Sequence, residues 1–227
     1  MSGAVGVGGY ARLDVDRRTR TGVPEVVFGA GKPPEQTLRL LAELRAHDPT
    51  GPALATRCPE AVLDAAAEAF PDEAVSVDRA AATVTVGEPP PPVGHTLVLT
   101  AGTTDLPVAR ECLATLTALG VGAEVMADVG VAGLHRLLAK LDDVRTADCL
   151  VVVAGMDGAL PSVVAGLVAA PVVGVPTSVG YGVAAGGVAA AVTMLSSCSP
   201  GLAVVNIDNG FGAAVHVAKI LGVGRRG

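Results

Sequence analysis

The stretch Cys149–Asn209, CLVVVAGMDGALPSVVAGLVAAPVVGVPTSVGYGVAAGGVAAAVTMLSSCSPGLAVVNIDN, decides how this chain folds. Between Asp157 and Asp208 lie 50 residues without one Lys, Arg, Asp, Glu or His, so any polar work falls to hydroxyls, amides, backbone and Cys198. A membrane span needs about 20 continuous apolar residues. Here Pro161, Pro171, Pro176 and the Thr177-Ser178 and Ser196-Ser197 pairs cut the apolar runs to the lengths of strands and short buried helices, which argues against a span. The runs LVVVAG, PVVGVP and LAVVNI are β-branched and continuous rather than alternating, the pattern of strands buried on both faces of a parallel sheet. Each ends in a small polar or Gly-rich turn, where an open α/β sheet places its ligands.

Working upstream, HTLVLTAG leads to a helix DLPVARECLATLTALG, and GAEVMAD leads to a helix VAGLHRLLAKLDDV. With the three runs above, that makes five strands alternating with helices. The expectation is a flavodoxin-like, doubly wound parallel sheet with right-handed crossovers. Ahead of it the run GEPPPPVGH, residues 87 to 95, cannot continue helix or sheet and reads as a stiff linker. We therefore expect a small N-terminal α/β domain over 1–92 and a larger domain over 93–227. In the first, residues 1 to 11 read as a loose Gly-rich start. PEVVF reads as a short strand, Pro33-Pro34 open a helix of about 14 residues ending near His47, and Pro52 to Val86 read as strand, helix, strand, strand.

Half of the residues are hydrophobic, only 2% are aromatic, and 29 are Gly. With Lys+Arg 16 against Asp+Glu 22 the net charge is −6, and there is no basic stripe interleaved with aromatics, so nucleic acid is not an expected partner. The four cysteines are far apart and form no CxxC, and the start lacks the charged and apolar segments of a signal peptide. This predicts a reduced, cytoplasmic protein. The mean hydropathy of +0.53 exceeds what one such domain hides easily. Burial of Ala/Gly/Val helix faces such as Val183 to Leu195 in a homo-oligomer is the simplest explanation.

The turns after the strands supply the candidate crevice residues: Gly102, Thr103, Thr104 and Asp105; His135; Gly155, Met156, Asp157 and Gly158; Pro176, Thr177, Ser178 and Tyr181; Asp208 and Asn209. Asp105, at a helix start, is equally readable as a cap on backbone N–H groups, and Asp208 and Asn209 as caps on the last helix. His135 reads as a phosphate or substrate contact, with a surface or interface histidine as the alternative. GAGK, ending at Lys32, lacks the spacer and the Ser/Thr of a P-loop, and reads as a surface turn whose Lys32 could reach an anionic ligand. Cys198, after an apolar helix, is on its own more readily a small buried filler than a nucleophile. Cys58, Cys112 and Cys149 read as packing.

Taken together, LDVDRRTRTGVPEVVFGAGKPPEQ, AGMDGALPSVVAGL, GVPTSVGYG and VVNIDNGFG resemble a known family. The second half is similar to the aminoimidazole ribonucleotide (AIR) carboxylase fold. The whole chain, from about Leu13 onward, resembles more specifically the LarB family of nickel-pincer cofactor biosynthesis. AIR carboxylases carry a catalytic His before the Leu-Pro of this loop, where the chain has Ala159. LarB proteins usually have Glu where it has Asp157, so the carboxylate is kept with one methylene less of reach. The resemblance implies carboxylation of the pyridinium ring of nicotinic acid adenine dinucleotide by CO2 or bicarbonate, and hydrolysis of its phosphoanhydride to release AMP. It further implies Cys198 as the covalent nucleophile, Asp157 and Asp105 as site carboxylates, phosphate held by the Thr-Asp turn, Mg2+ with the diphosphate, and an octamer. The metal ligands stay unknown. An enzyme acting on an aminoimidazole ribonucleotide and a non-catalytic nucleotide-binding oligomer are the alternatives; Ala159 argues against the first and Cys198 against the second.

Overall fold

The computed structural model describes residues 3–224. The chain opens with a hairpin of β1 (Ala4–Val7) and β2 (Ala11–Asp14), turned at Gly8 and Gly9, both at positive φ. The Gly-rich start is therefore not loose from Ala4 onward: buried Val7 and Leu13 anchor it to the first core. Met1 and Ser2 lie outside the described residues. A single-turn helix α1 (Arg17–Thr21), which the sequence reading did not anticipate, follows and is closed by Gly22 in the left-handed region.

Next come β3 (Val27–Phe28), α2 (Pro34–His47), β4 (Ala53–Thr56), α3 (Glu60–Ala69), β5 (Val75–Asp78) and β6 (Thr83–Val86), the elements expected from the sequence. Pro is accepted at the start of α2 because the first N–H of a helix has no partner to lose. The strands pair in the order β3-β4-β6-β5, parallel at the first pair and antiparallel at the others. Leu40, Leu41 and Leu44 of α2 and Val62, Leu63 and Ala66 of α3 pack on Val84 and Val86 to form its core.

The second unit holds β7 (Val93–Thr100), α4 (Leu106–Ala118), β8 (Val121–Met126), α5 (Leu134–Leu138), α6 (Leu141–Val144), β9 (Cys149–Ala154), α7 (Leu160–Ala165), β10 (Val172–Pro176), α8 (Val188–Leu195), β11 (Leu202–Val204) and α9 (Gly210–Ile220). All five strands are parallel, in the order β11-β10-β9-β7-β8. This is the flavodoxin-like doubly wound sheet, with its switch point between β7 and β9. Odd and even positions of the central strands feed two separate cores. Val98, Val151, Val153, Val173 and Val175 face Ala109, Cys112 and Leu116 of α4 and Ala213, Ala214 and Val217 of α9. Leu97, Leu99, Leu150 and Val152 face Leu137, Val144, Leu160, Val164, Ala190 and Met194 on the other side. Each fully buried Val or Leu contributes about 1.5–3 kcal/mol of transfer free energy, so the wholly apolar β9 drives sheet formation. Small residues set the helix spacing: a Cβ on Gly210 would come within 2.3 Å of the Val108 carbonyl oxygen.

The segment VAGLHRLLAKLDDV departs from the single helix expected: a 3-10 turn over Val131–Gly133, then α5 and α6 as separate short helices. Gly133 and the charged Lys140-Leu141-Asp142-Asp143 run interrupt the apolar stripe, which leaves Leu137 and Val144 as its only buried anchors besides Gly133. The strand LAVVNI is shorter than expected, with Val205 and Asn206 outside β11. Cys58, Cys112 and Cys149 are buried, as expected, and burial pushes the thiols of Cys58 and Cys149 up to about 11 and that of Cys112 further still. No helix among the described residues is long and apolar enough to cross a membrane.

Candidate active site

At the switch point the turns after β7, β9, β10 and β11 meet on Asp105. Its side chain is 3% exposed; Oδ2 accepts the Gly102 N–H at 2.9 Å and Oδ1 accepts the Thr177 hydroxyl at 2.7 Å. The first of these bonds is one half of a capping box, in which a carboxylate reaches back to a free amide three residues earlier. Burial raises the Asp105 pKa above its ordinary value; hydrogen bonds from Thr177, Gly102 and Gly155 oppose the shift, and the nearby charge of Asp208 adds to it. Asp208 in turn accepts the Ser178 N–H at 2.8 Å and donates its own N–H to the Pro176 carbonyl at 2.8 Å. Three strand ends are thus locked by two carboxylates. The capping reading of Asn209 holds: its Oδ1 accepts the Gly212 N–H at 2.7 Å.

Beside Asp105 opens a cavity of about 240 Å3, lined by Gly102, Thr104, Gly130, Val131, Arg136, Gly155, Met156, Asp157, Ala159 and Val179 among others. Asp157 is exposed on its rim, and its carboxylate has one weak partner, the Ala159 N–H at 3.4 Å. The loop approaches its neighbours closely. A Cβ on Gly155 would lie 2.3 Å from the Val179 carbonyl oxygen, and Gly158, at φ 63, would meet the Ala190 backbone at 2.7 Å. A second cavity of about 330 Å3 adjoins the first and shares Thr104 and Val179 with it; Arg57, Ala80, Ala81 and Ala82 form its N-terminal wall, and Val108, Glu111, Ser178 and Asp208 its other wall. The five non-glycine residues at positive φ among the described residues all belong to this crevice. Arg57, Ala82, Met156 and Asp208 line a cavity, and Asp128 pairs with the lining Arg136. Such strain, about 1–3 kcal/mol per residue, concentrates where function requires it.

Of the residues singled out from the sequence, Gly102, Thr104, Asp105, Gly155, Met156 and Asp157 line the first cavity, and Ser178 and Asp208 line the second. Thr103 belongs to the same turn as Thr104, Gly158 shapes the loop, Pro176 ends β10, and Thr177 is wholly buried on Asp105. The others are not brought in. His135 is exposed on α5, one residue from the lining Arg136; Tyr181 is 78% exposed; Lys32 folds back on its own turn, its Nζ donating to the Phe28 carbonyl at 2.6 Å. Cys198 is exposed in the connection from α8 to β11, so within one chain it sits at the amino edge of the sheet, a strand length from the Asp105 turn on the carboxyl edge. The buried-filler reading of Cys198 therefore fails. Sequence reasoning missed Arg57 and Arg136. The first directly follows the ALAT strand and the second closes DVGVAGLHR, so a cation directly after a strand or its turn was the signal. Among the described residues no three His, Cys, Asp or Glu gather as a metal cage.

An all-parallel α/β domain with carboxylates and glycine turns at its switch point defines a ligand-binding or enzymatic crevice of the doubly wound class. Residues 95–227 match the AIR carboxylase family, and residues 6–88 match the LarB/PurE-like N-terminal domain. An uncharacterized protein of Methanocaldococcus jannaschii is 43% identical over 227 residues, covering 92% of this chain and 84% of the relative. Two crystal structures of Treponema denticola PurE proteins, one of them a substituted form, are similar at 20% identity and a TM-score of 0.45, over 57% of this chain and 80% of theirs. The chain belongs to the AIR carboxylase family, in the branch that carries a LarB-type N-terminal domain. The family is one of carboxylases, and the chain is an enzyme of the carboxylase type.

Proposed function

We propose that the protein carboxylates the pyridinium ring of nicotinic acid adenine dinucleotide and hydrolyses the phosphoanhydride, giving pyridinium-3,5-biscarboxylic acid mononucleotide and AMP. The observation that carries this reading is the composition of the first cavity: the carboxylates of Asp105 and Asp157 face a site whose Leu-Pro loop has Ala159 where the purine carboxylases have their proton-transferring His. Carboxylates suit a cationic ring, and Ala159 leaves an aminoimidazole substrate without the histidine its carboxylases use.

The chemistry asks for a nucleophile. A pyridinium carbon is electrophilic and does not attack CO2. Addition of a thiolate forms a C–S bond and moves a ring electron pair to nitrogen, giving an enamine whose carbon bonds to CO2. A base then takes the proton from that carbon, the C–S bond breaks, and aromaticity and free thiolate return. Asp105, which lines the cavity, is the base in this reading. The exposed Asp157 has lone pairs free to hold a Mg2+ that arrives with the diphosphate, where the ion would offset phosphate charge.

Cys198 supplies the thiol in this reading, and its place on the far edge of the sheet requires a second copy of the chain to bring it to the crevice. The outer face of α8, which ends three residues before it, is apolar and exposed: Val188, Val192 and Leu195 are 63, 57 and 71% exposed, and nearby Val183 is 98% exposed. Packing of copies through this face, in an octamer as the fold resemblance implies, buries it and carries Cys198 to a neighbour. Incubation with nicotinic acid adenine dinucleotide and 13C-bicarbonate tests the function. AMP and a mononucleotide heavier by one labelled carboxylate are expected; recovery of unchanged dinucleotide would reject it.

A further inference from the structure

The second cavity lies between the two units of the chain, and the charged side chain that the N-terminal unit sends into it is Arg57. That side chain is held from three directions. Its backbone is fixed at φ 53, between a Gly29 N–H bond to the Thr56 carbonyl and a Cys58 N–H bond to the Ala82 carbonyl, each 2.8 Å. Its Nε donates to Glu111 Oε1 at 3.2 Å, and its Nη2 donates to the Asp208 carbonyl. Glu111 is 5% exposed and also accepts the Phe211 N–H at 3.3 Å, so the clamp is anchored in the second unit. Among the described residues Nη1 has no protein partner, and it belongs to a guanidinium that lines the cavity. Arginine with one edge pinned and one edge free is preorganised for an oxyanion, because little side-chain freedom remains to be lost on binding.

The remaining walls favour a flat apolar body beside that anion: Ala80, Ala81 and Ala82 on one side, Pro107 and Val108 on the other. The cavity volume falls within the range of about 300–1,000 Å3 typical of small-molecule sites. Thr104, shared by both cavities, sits on the turn that opens the 13-residue α4, where first-turn amides have no intrahelical partner. We infer that this interdomain cavity is a subsite for a nucleoside monophosphate moiety, with Arg57 against its phosphate and the base between the alanine and Pro107-Val108 walls. The inference rests on the dinucleotide reading above and deepens it. The N-terminal unit thereby becomes part of the substrate site and sets the preference for a dinucleotide over its pyridinium mononucleotide half.

Calorimetric titration with AMP, alongside steady-state kinetics on the dinucleotide, tests this in the full-length chain. Wild type is expected to bind AMP, and Arg57→Gln to weaken it by about 10-fold and to raise KM for the dinucleotide by a similar factor with kcat unchanged. Because Arg57→Gln strands the buried Glu111, the double variant Arg57→Gln/Glu111→Gln accompanies it. A recovered Tm with AMP binding still lost assigns the effect to the ligand, whereas recovery of AMP binding with Tm reduces Arg57 to a structural clamp and overturns the subsite. So does unchanged AMP affinity in either variant, or no AMP binding by wild type. Arg57-dependent AMP binding in a protein that does not turn over the dinucleotide would sink the proposed reaction and leave the subsite standing.

Discussion

The two edges of the five-stranded sheet are built on different physical terms. At the carboxyl edge the turns are tied together by the buried Asp105 and by Asp208, with left-handed residues held in place by their neighbours. At the amino edge Cys198 lies exposed in a loop fastened by small contacts, such as the Ser199 hydroxyl donating to the Ser162 carbonyl at 2.8 Å. The rigid edge has what positions a charged ligand, and the open edge has the thiol. A substrate site that needs both is incomplete in one chain. α8 runs from one edge to the other with an apolar outer face, so the surface through which we propose that copies pack is contiguous with the residue a neighbouring copy would supply.

The sharpest way to separate the edges is Cys198→Ser. An exposed residue leaves the fold intact, so the unfolding free energy stays within about 0.5 kcal/mol of wild type. Carboxylation falls by at least about 10^3-fold, since a hydroxyl at neutral pH presents far less anion than a thiol. Normal carboxylation by this variant, read from labelled bicarbonate incorporation, would return the reaction to the carboxyl edge alone.

Asp157→Asn probes the rim of the rigid edge. Turnover drops by about 10^2-fold, in the range of a lost electrostatic or acid-base group, while the melting temperature is unmoved because the side chain is exposed with one weak bond. Equal kcat/KM for the variant and wild type would make Asp157 a loop cap and nothing more.

Asp105→Asn removes the proposed base as well, but its most diagnostic effect is a smaller one, on stability. Burial raises the folded-state pKa of Asp105 above 3.8, so the protonated carboxyl is favoured by folding. Its contribution is full below pH 3.8 and declines as pH rises through the folded pKa. The isosteric amide removes that decline, and the fall in unfolding free energy between pH 4 and 7 becomes shallower. An unaltered pH slope would show that Asp105 is not held above its ordinary range.

Much of the fold was legible because its signals are local and redundant. Continuous Val runs, each followed by a glycine turn and a helix, announce a parallel sheet, and the Pro33-Pro34 start and His47 end of α2 were readable to a residue. The hairpin at Ala4–Asp14 was not, since glycines that look like slack are turn residues once Val7 and Leu13 find a core. The broken α5–α6 segment escaped because helical periodicity survives an interruption that only tertiary packing exploits. Within the site, the turn residues from Gly102 to Asp105 and from Gly155 to Asp157 declared themselves by position after strands. Arg57 also follows a strand, but its reach across to Glu111 and Asp208 is a contact between units distant in sequence, which that local position does not record.

Whether the two edges work together is measured most directly by mixing inactive partners. Cys198→Ser and Asp105→Asn/Asp157→Asn chains, each without carboxylase activity, are dissociated, combined and reassembled. If the crevice of one copy takes the thiol of another, mixed assemblies contain sites with intact carboxylates from the first variant and intact Cys198 from the second, and carboxylation returns to a substantial fraction of wild type. No recovery from mixed oligomers verified by native mass spectrometry would contradict the account, placing thiol and carboxylates within one chain or removing Cys198 from the reaction.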